Sequence, residues 1–257
     1  MKNLLLFCSL IFLTPSGFGQ MLLNQDGEAF TTDPFFNSKF IQNNKIKTIK
    51  GTYSFKKNKD LIRKVPGSYT YKFNKKGRLN SCIDIRWNGK TLDTTLQYYE
   101  YNQLGAIISI KKSENNGVTL QEFQRDSLNR IISTSNYRVI LNDKGEVVKK
   151  NEMNTETMRY SKEKRTTYNS YNLPYLISYD NYNEDGYKTS SIDKLKMGGT
   201  IYKKEYDYND KGLLISIETF YDKHLKPVEE LKFKYDNFGN LMERHEFKQG
   251  VFTKDFQ

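Results

Sequence analysis

In Tyr69-Thr70-Tyr71-Lys72-Phe73 the aromatic residues occupy alternate positions, with Thr70 and Lys72 between them. Leu231-Lys232-Phe233-Lys234-Tyr235 and Ile83-Asp84-Ile85-Arg86-Trp87 repeat the arrangement. Successive strand side chains point to opposite faces, so period-two alternation predicts strands with one buried and one wetted face. A second pattern follows the turns. Ile107-Ile108-Ser109, Ile131-Ile132-Ser133, Leu176-Ile177-Ser178 and Leu214-Ile215-Ser216 each place two apolar residues in succession. Read as regular strand, that pattern predicts that both sheet faces are partly covered there.

The segments are punctuated by a recurring motif, Tyr-Asn/Asp-x-x-Gly-x-Leu/Ile. It is plainest at Tyr208-Asn209 to Leu214 and at Tyr235-Asp236 to Leu241, and it fits Tyr101-Asn102 to Ile107 and Phe73-Asn74 to Leu79. The Asn or Asp side chain can bond the backbone two residues on, and the Gly supplies the left-handed conformation that closes the loop. These glycines, or Asn in their place, fall at Gly77, Gly105, Asn129, Gly145, Asn172, Gly186, Gly212 and Gly239. Four of the seven intervals are 26 to 28 residues, and two are about half that, as if one hairpin were missing. A second turn class lies between them, at Asn88-Gly89, Asn116-Gly117, Gly198-Gly199 and Gln249-Gly250, with Lys226-Pro227 as a further candidate. Asn-Gly and Gly-Gly pairs are strong hairpin signals because both central residues tolerate positive φ.

Two alternating turn classes predict an all-β antiparallel meander array over 46–257, with about sixteen strands, more than a flat open sheet usually carries. The array is therefore expected to curl into a spiral or partial barrel. Asn154 to Thr167 is its weakest part, an exposed hairpin end or irregular unit around Arg159 to Arg165. The segment 20–45 lacks the repeat. There Asp33-Pro34 followed by Phe35, Phe36, Phe40 and Ile41 predicts a short capping helix, N-capped at Asp33 with Pro34 at its first position. It is expected to close the first end of the array, as terminal repeats require.

The first nineteen residues have the form of an export signal. Lys2 precedes the apolar run Leu4 to Leu13, and Pro15, Ser16, Gly17 and Gly19 lead to an expected cleavage after Gly19. The run is short for a membrane span and no later segment is apolar enough, so no span is expected. Cys8 lies inside the run, which leaves Cys82 as the one thiol of the exported chain and excludes an intramolecular disulfide. An outer-membrane barrel is excluded by strands such as Asn240 to Phe247, apolar on neither face.

The array resembles the YD-repeat family, also called the RHS repeat, of bacterial secreted and cell-envelope proteins. Tyr235-Asp236 to Leu241, Tyr208-Asn209 to Leu214 and Asp126-Ser127-Leu128-Asn129-Arg130-Ile131 carry the likeness, which covers roughly Ser54 to Phe256. The resemblance implies long antiparallel strands winding into a spiral sheet, which in large members forms a shell around a toxin domain. This chain has too few repeats to close such a shell.

Candidate chemistry is sparse. His224 and His245 stand alone in sequence and read as exposed surface residues, and Cys82 has no neighbouring His or basic cluster to activate it. No nucleophile-elbow, zinc-protease or phosphate-loop motif occurs, so no catalytic, cofactor or metal residues are assigned. Asp84, Glu205, Asp207, Glu229 and Glu230 all lie on predicted strands, and two of them meeting in a groove would allow a carboxylate hydrolase. The net charge of +11 includes lysine pairs at 56–57, 75–76, 111–112, 149–150 and 203–204. They form either a basic surface for anionic polysaccharide, lipid headgroups or acidic proteins, or a guard against pairing between strands of different molecules. Nucleic acid fits poorly with export. Trp87 shares a face with Ile83 and Ile85, which predicts core packing over a sugar-stacking role.

These features lead to an exported, non-enzymatic β-repeat scaffold in the periplasm, on the cell surface or secreted, binding an envelope glycan or protein. The alternatives are an immunity or antagonist protein against a secreted toxin, and the hydrolase.

Overall fold

The computed structural model describes residues 36, 38–55, 61, 63–162, 164–221, 225–237 and 241–256. The export signal, Asp33-Pro34, Lys56-Lys57, His224 and Gly239 lie outside them. One helix, α1 (Ser38–Asn43), precedes sixteen strands. The first eight are β1 (Thr48–Phe55), β2 (Arg63–Phe73), β3 (Leu79–Trp87), β4 (Leu92–Tyr101), β5 (Ile107–Glu114), β6 (Gly117–Arg125), β7 (Ile131–Leu141) and β8 (Val147–Tyr160). The rest are β9 (Arg165–Tyr168), β10 (Pro174–Tyr182), β11 (Lys188–Leu195), β12 (Thr200–Tyr208), β13 (Leu214–Tyr221), β14 (Glu229–Tyr235), β15 (Leu241–Lys248) and β16 (Val251–Phe256). All belong to one antiparallel sheet whose spatial order is the chain order. The sheet is not closed into a barrel.

The motif turns form as their chemistry dictates. Asn74 Oδ1 accepts from the backbone N–H of Lys76 (2.9 Å) and Arg78 (3.1 Å), while Gly77 N–H donates to the Asn74 carbonyl. The same side-chain bridge recurs at Asp126, Asn142, Asn169 and Asn209. Where Gly is replaced, Asn129 and Asn172 take φ of 64° and 56° in its stead. In the second turn class only Gly198-Gly199 and Gln249-Gly250 place both central residues at positive φ; at Asn88-Gly89 and Asn116-Gly117 the Gly alone does so.

No hairpin is missing where the motif spacing halves. The turns at 74–78, 102–106, 126–130, 183–187 and 209–213 lie on one edge of the sheet, each joining an even-numbered strand to the next. Those at 142–146 and 169–173 join β7 to β8 and β9 to β10, so they lie on the opposite edge. The region around 159–165 supplies the displaced turn: Ser161–Lys164 is a tight hairpin between the 14-residue β8 and the four-residue β9.

Three of the four doubled apolar pairs have a cause other than two-sided burial, whereas Leu176 and Ile177 lie in regular ladder with both side chains half-buried, as expected. Glu100 pairs with Ser109 but Tyr101 pairs with Ile107, which leaves Ile108 as an extra residue, a β-bulge. The same skip leaves out Asn80, Ile132, Val148, Tyr175, Thr189, Ile215 and Met242. A bulge shifts the alternation by one, so Leu214 and Ile217 share a face although three positions separate them. Leu214 is fully buried while the bulged Ile215 is exposed, and Ile108 is exposed likewise. Bulges bend and twist their strands, so one after every motif turn curves the sheet progressively.

At four of these bulges the carbonyl of the preceding residue accepts a side-chain donor from the end of a later strand. Tyr101 Oη donates to the Leu79 carbonyl (2.7 Å), Tyr160 Oη to that of Ile131 (2.8 Å) and Tyr235 Oη to that of Leu214 (2.5 Å). Arg125, which replaces the tyrosine before Asp126, donates its Nε to the Ile107 carbonyl (3.0 Å). Four hairpins are thus fastened to the bulge of the hairpin before them. Tyr235→Phe is expected to leave the Leu214 carbonyl unbonded and to lower unfolding stability by about 1–3 kcal/mol, read from urea denaturation. No change relative to the parent would remove this role.

The core lies on one face as two clusters. Leu79, Cys82 and Tyr99 gather Phe36, Tyr71, Phe73, Tyr101, Ile107 and Ile110; Tyr206, Leu214, Ile217 and Phe233 gather Tyr208, Leu231, Tyr235 and Leu241. The helix begins at Ser38, later than the Pro34 start expected. Phe36 stacks edge-on against Tyr71 and Phe73, at 5.2 and 5.0 Å between ring centroids. Phe36 therefore covers a face of β2–β4, and α1 lies against the first motif turn at Gly77.

Candidate functional site

Residues directly opposite in neighbouring strands share a face, so the register sorts the polar groups. The core-bearing face carries a polar band beyond its apolar clusters. Asp84 accepts from Tyr53 Oη (2.6 Å) and from Arg86 Nε (2.8 Å), and the Arg86 guanidinium lies over the Tyr53 ring. Burial, reinforced by the bond to Asp84, pushes the Tyr53 phenol up to about 12. Further along, Tyr175 donates to Glu156 (2.6 Å), Tyr202 donates to the buried Asp193 (2.7 Å), and Arg165 reaches Ser178 (3.1 Å). Burial and then the Glu156 bond raise the Tyr175 phenol to about 12. Sequence reading missed this cluster, because its members come from five strands and only register brings them together.

The opposite face carries an acidic row. Glu205 pairs across to Glu218, and Glu218 pairs across to Glu230. Lys203 bonds Glu205, and Lys232 bonds Glu230 at 2.9 Å. The central Glu218 carboxyl is raised above its ordinary value by burial first, then by Glu230, Asp207 and Glu205. Three of the five carboxylates singled out in sequence are therefore brought together, but on a flat face with lysines interleaved. A raised carboxyl pKa makes the folded state hold its proton more tightly than the unfolded chain. Stability from this group is present below the unfolded pKa and is lost as pH rises through the higher folded one. Glu218→Gln removes the like-charge contacts and is expected to stabilise the protein at neutral pH by about 0.5 kcal/mol, with less gain in acid. Thermal unfolding at both pH values measures it, and a destabilised variant at neutral pH contradicts it.

The remaining candidates are placed as follows. Glu229 lies on the core-bearing face, 3.4 Å from Lys248. Cys82 is buried, and desolvation followed by the Asp84 charge raises its thiol to about 11, which makes it a poor nucleophile. His245 is half-buried and not an exposed residue: it packs edge-on to Phe247 and Phe252, with Nε2 3.1 Å from Glu243. Trp87 shares a face with Ile83 and Ile85 as predicted, but that face is opposite the core clusters, and the ring is 45% exposed where it closes the hairpin against Leu92, so the expected core packing is not found. Among the described lysine doublets, Lys75 and Lys76 are exposed in a turn. In the others the two lysines face opposite ways: Lys111 covers Tyr98 while Lys112 bonds Glu114, and Lys203 covers Phe220 while Lys204 covers Tyr202. Lysine stems shield aromatic faces here, and no continuous basic patch results.

Depressions in the surface lie on both edges. A groove of about 780 Å³ lies between the first two motif turns, lined by Lys75, Lys76, Arg78, Tyr99, Tyr101 and Ile108. A cleft of about 540 Å³ on the opposite edge is lined by Tyr221, Lys226, Pro227, Val228, Glu230 and Gln249. Among the described residues no three His, Cys, Asp or Glu side chains are grouped to hold a metal ion, and no helix is long and apolar enough to cross a membrane.

No family model matches the chain, and no curated protein matches it. Among solved structures it is similar to a porin-like protein from Bacteroides uniformis, at 11% identity, 81% coverage of this chain, 93% of that one and a TM-score of 0.46. A TcdB2-TccC3-Cdc42 structure aligns at 14% identity over 76% of this chain and 13% of that chain, with a TM-score of 0.26. The Tc holotoxin pore of Photorhabdus luminescens aligns at 10% identity over 78% and 15%, with a TM-score of 0.21. This chain thus spans a small fraction of the toxin chains, and likenesses at these values carry no functional argument.

Proposed function

We propose that this chain is an exported, non-enzymatic β-repeat scaffold of the YD-repeat kind, which binds a glycan or protein of the bacterial envelope. One observation carries the reading: the strand carboxylates are held by partners while the turns are left to solvent. Asp84, Glu156 and Asp193 each accept a tyrosine hydroxyl, and Glu205, Glu229 and Glu230 each sit in an ion pair. Carboxylates held this way are not poised for hydrolysis. The turns meanwhile present large apolar residues to water on both edges, Leu104 and Leu128 on one and Tyr171 and Met197 on the other. Exposed apolar side chains at successive turns give a partner points of contact on either edge. Lysine doublets that face opposite ways weigh against the antagonist alternative, which needs one continuous basic surface.

Crosslinking in the native envelope, followed by purification of the tagged protein, tests the proposal together with binding to isolated envelope polysaccharide. Recovery of one partner or saturable polysaccharide binding is expected. Failure of both, or turnover of a glycan substrate, would remove it.

A further inference from the structure

The sheet edge formed by the turns of its C-terminal half carries an apolar residue at every described hairpin. The turns between β9 and β10, β11 and β12, β13 and β14, and β15 and β16 present Tyr171 (84% exposed), Met197 (101%), Leu225 (98%) and Val251 (66%). Leu173 and Leu195 are exposed beside them, and the exposed Lys196 and Lys226 adjoin Met197 and Leu225. Neighbouring turns on one edge are two strands apart, so these tips follow one another at about 10 Å.

We propose that this edge docks peripherally onto a bilayer surface rich in anionic lipid. Separate tips at that spacing do not form one contiguous apolar patch. A protein partner would need a pocket for each, in matching register, whereas a fluid acyl layer accepts spaced side chains without register. Apolar groups buried at the headgroup boundary, with lysines beside them to meet lipid phosphates, are the physical elements of such docking. Tyr171 adds an aromatic ring with a polar end, a type enriched at that boundary. Among the described residues of this half of the edge, Glu229 is paired with Lys248 and Glu230 with Lys232, so neither opposes approach. The attachment leaves both sheet faces and the opposite edge free, whatever the scaffold's partner is.

The test uses the exported form of the full chain, so that the apolar run Leu4 to Leu13 makes no contribution. Vesicles of mixed phosphatidylglycerol and phosphatidylcholine are expected to sediment the protein, and pure phosphatidylcholine vesicles to sediment much less. Met197→Glu with Leu225→Glu should weaken binding to the mixed vesicles by at least about tenfold. Lys196→Glu with Lys226→Glu should weaken it by about tenfold or more on mixed vesicles only. Leu104→Glu with Leu128→Glu, on the other edge, should leave it unchanged. All these side chains are exposed, and circular dichroism confirms that the variants fold. No sedimentation with either vesicle, or equal loss from the two leucine-edge and methionine-edge pairs, overturns the proposal. So does a crosslinked protein on Met197 and Leu225 without vesicle binding, which would assign the edge to a protein contact.

Discussion

Replacing Gly77 with alanine is expected to lower unfolding stability by about 3 kcal/mol or more. Two penalties combine there. The residue sits at φ 74°, where an L side chain is strained. A Cβ would also lie 2.0 Å from the Ser38 carbonyl oxygen and 2.9 Å from Gln42 N, both backbone atoms of α1. Backbone cannot rotate aside, so either the turn distorts or α1 lifts from β2–β4 and takes Phe36 out of the aromatic cluster. Gly145 separates the two penalties. It occupies the same motif position at φ 78°, with nothing within 4 Å of its Cβ. Gly145→Ala should therefore cost only the conformational strain, about 1 kcal/mol. Urea unfolding of the two variants measures the difference, and equal losses would show that α1 does not seat on the first motif turn.

The second large effect is expected at Leu214. It is fully buried in the cluster with Tyr206, Ile217 and Phe233, and Leu214→Ala should cost about 3 kcal/mol, within the range for deleted core leucines. Its neighbour Ile215 is the bulged, exposed residue, so Ile215→Ala should stay within about 0.5 kcal/mol of the parent. In regular strand the two would face opposite ways with either covered, and the sequence alone does not rank them. Because each repeat touches only its neighbours, the loss at Leu214 should appear first as faster amide exchange in β12–β15 and only later in β2–β5. Similar losses at both positions, or uniform acceleration across the sheet, would contradict the bulged register.

Turn chemistry was the most legible part of the sequence because it is local. An Asn that bonds the backbone two and four residues on, followed by Gly at positive φ, is fixed by five consecutive residues. The strands between the turns were equally readable from alternation at Tyr69–Phe73 and Leu231–Tyr235. The bulges were not, although Ile-Ile-Ser was the visible trace: a skipped ladder position is a relation between two strands, and period-two reading assigns such a pair to two faces. The same limit hid the edge change at 142–146. Halved spacing was readable, but which edge a turn occupies depends on how many strands precede it. Side-chain clusters assembled by register were hidden for that reason as well. Glu218 attracted no notice in sequence and proved to be the centre of the acidic row, whereas Asp84 was noticed for its carboxylate and proved to be bonded by Tyr53 and Arg86. Trp87 shows that alternation groups residues on a face without saying which face carries the core: Cys82 and Asp84 put the core on the other side of β3.

Paired spin labels give the most direct test of one continuous meander whose motif turns occupy both edges. With Ser127→Cys and Asp143→Cys labelled, and Cys82 buried, the 11-residue β7 should hold the labels about 40 Å apart. Labels at Gln103 and Ser127, on adjacent turns of one edge, should lie within about 20 Å. If the first pair were also found within about 20 Å, both motif turns would share an edge, and the strand order described here would be wrong.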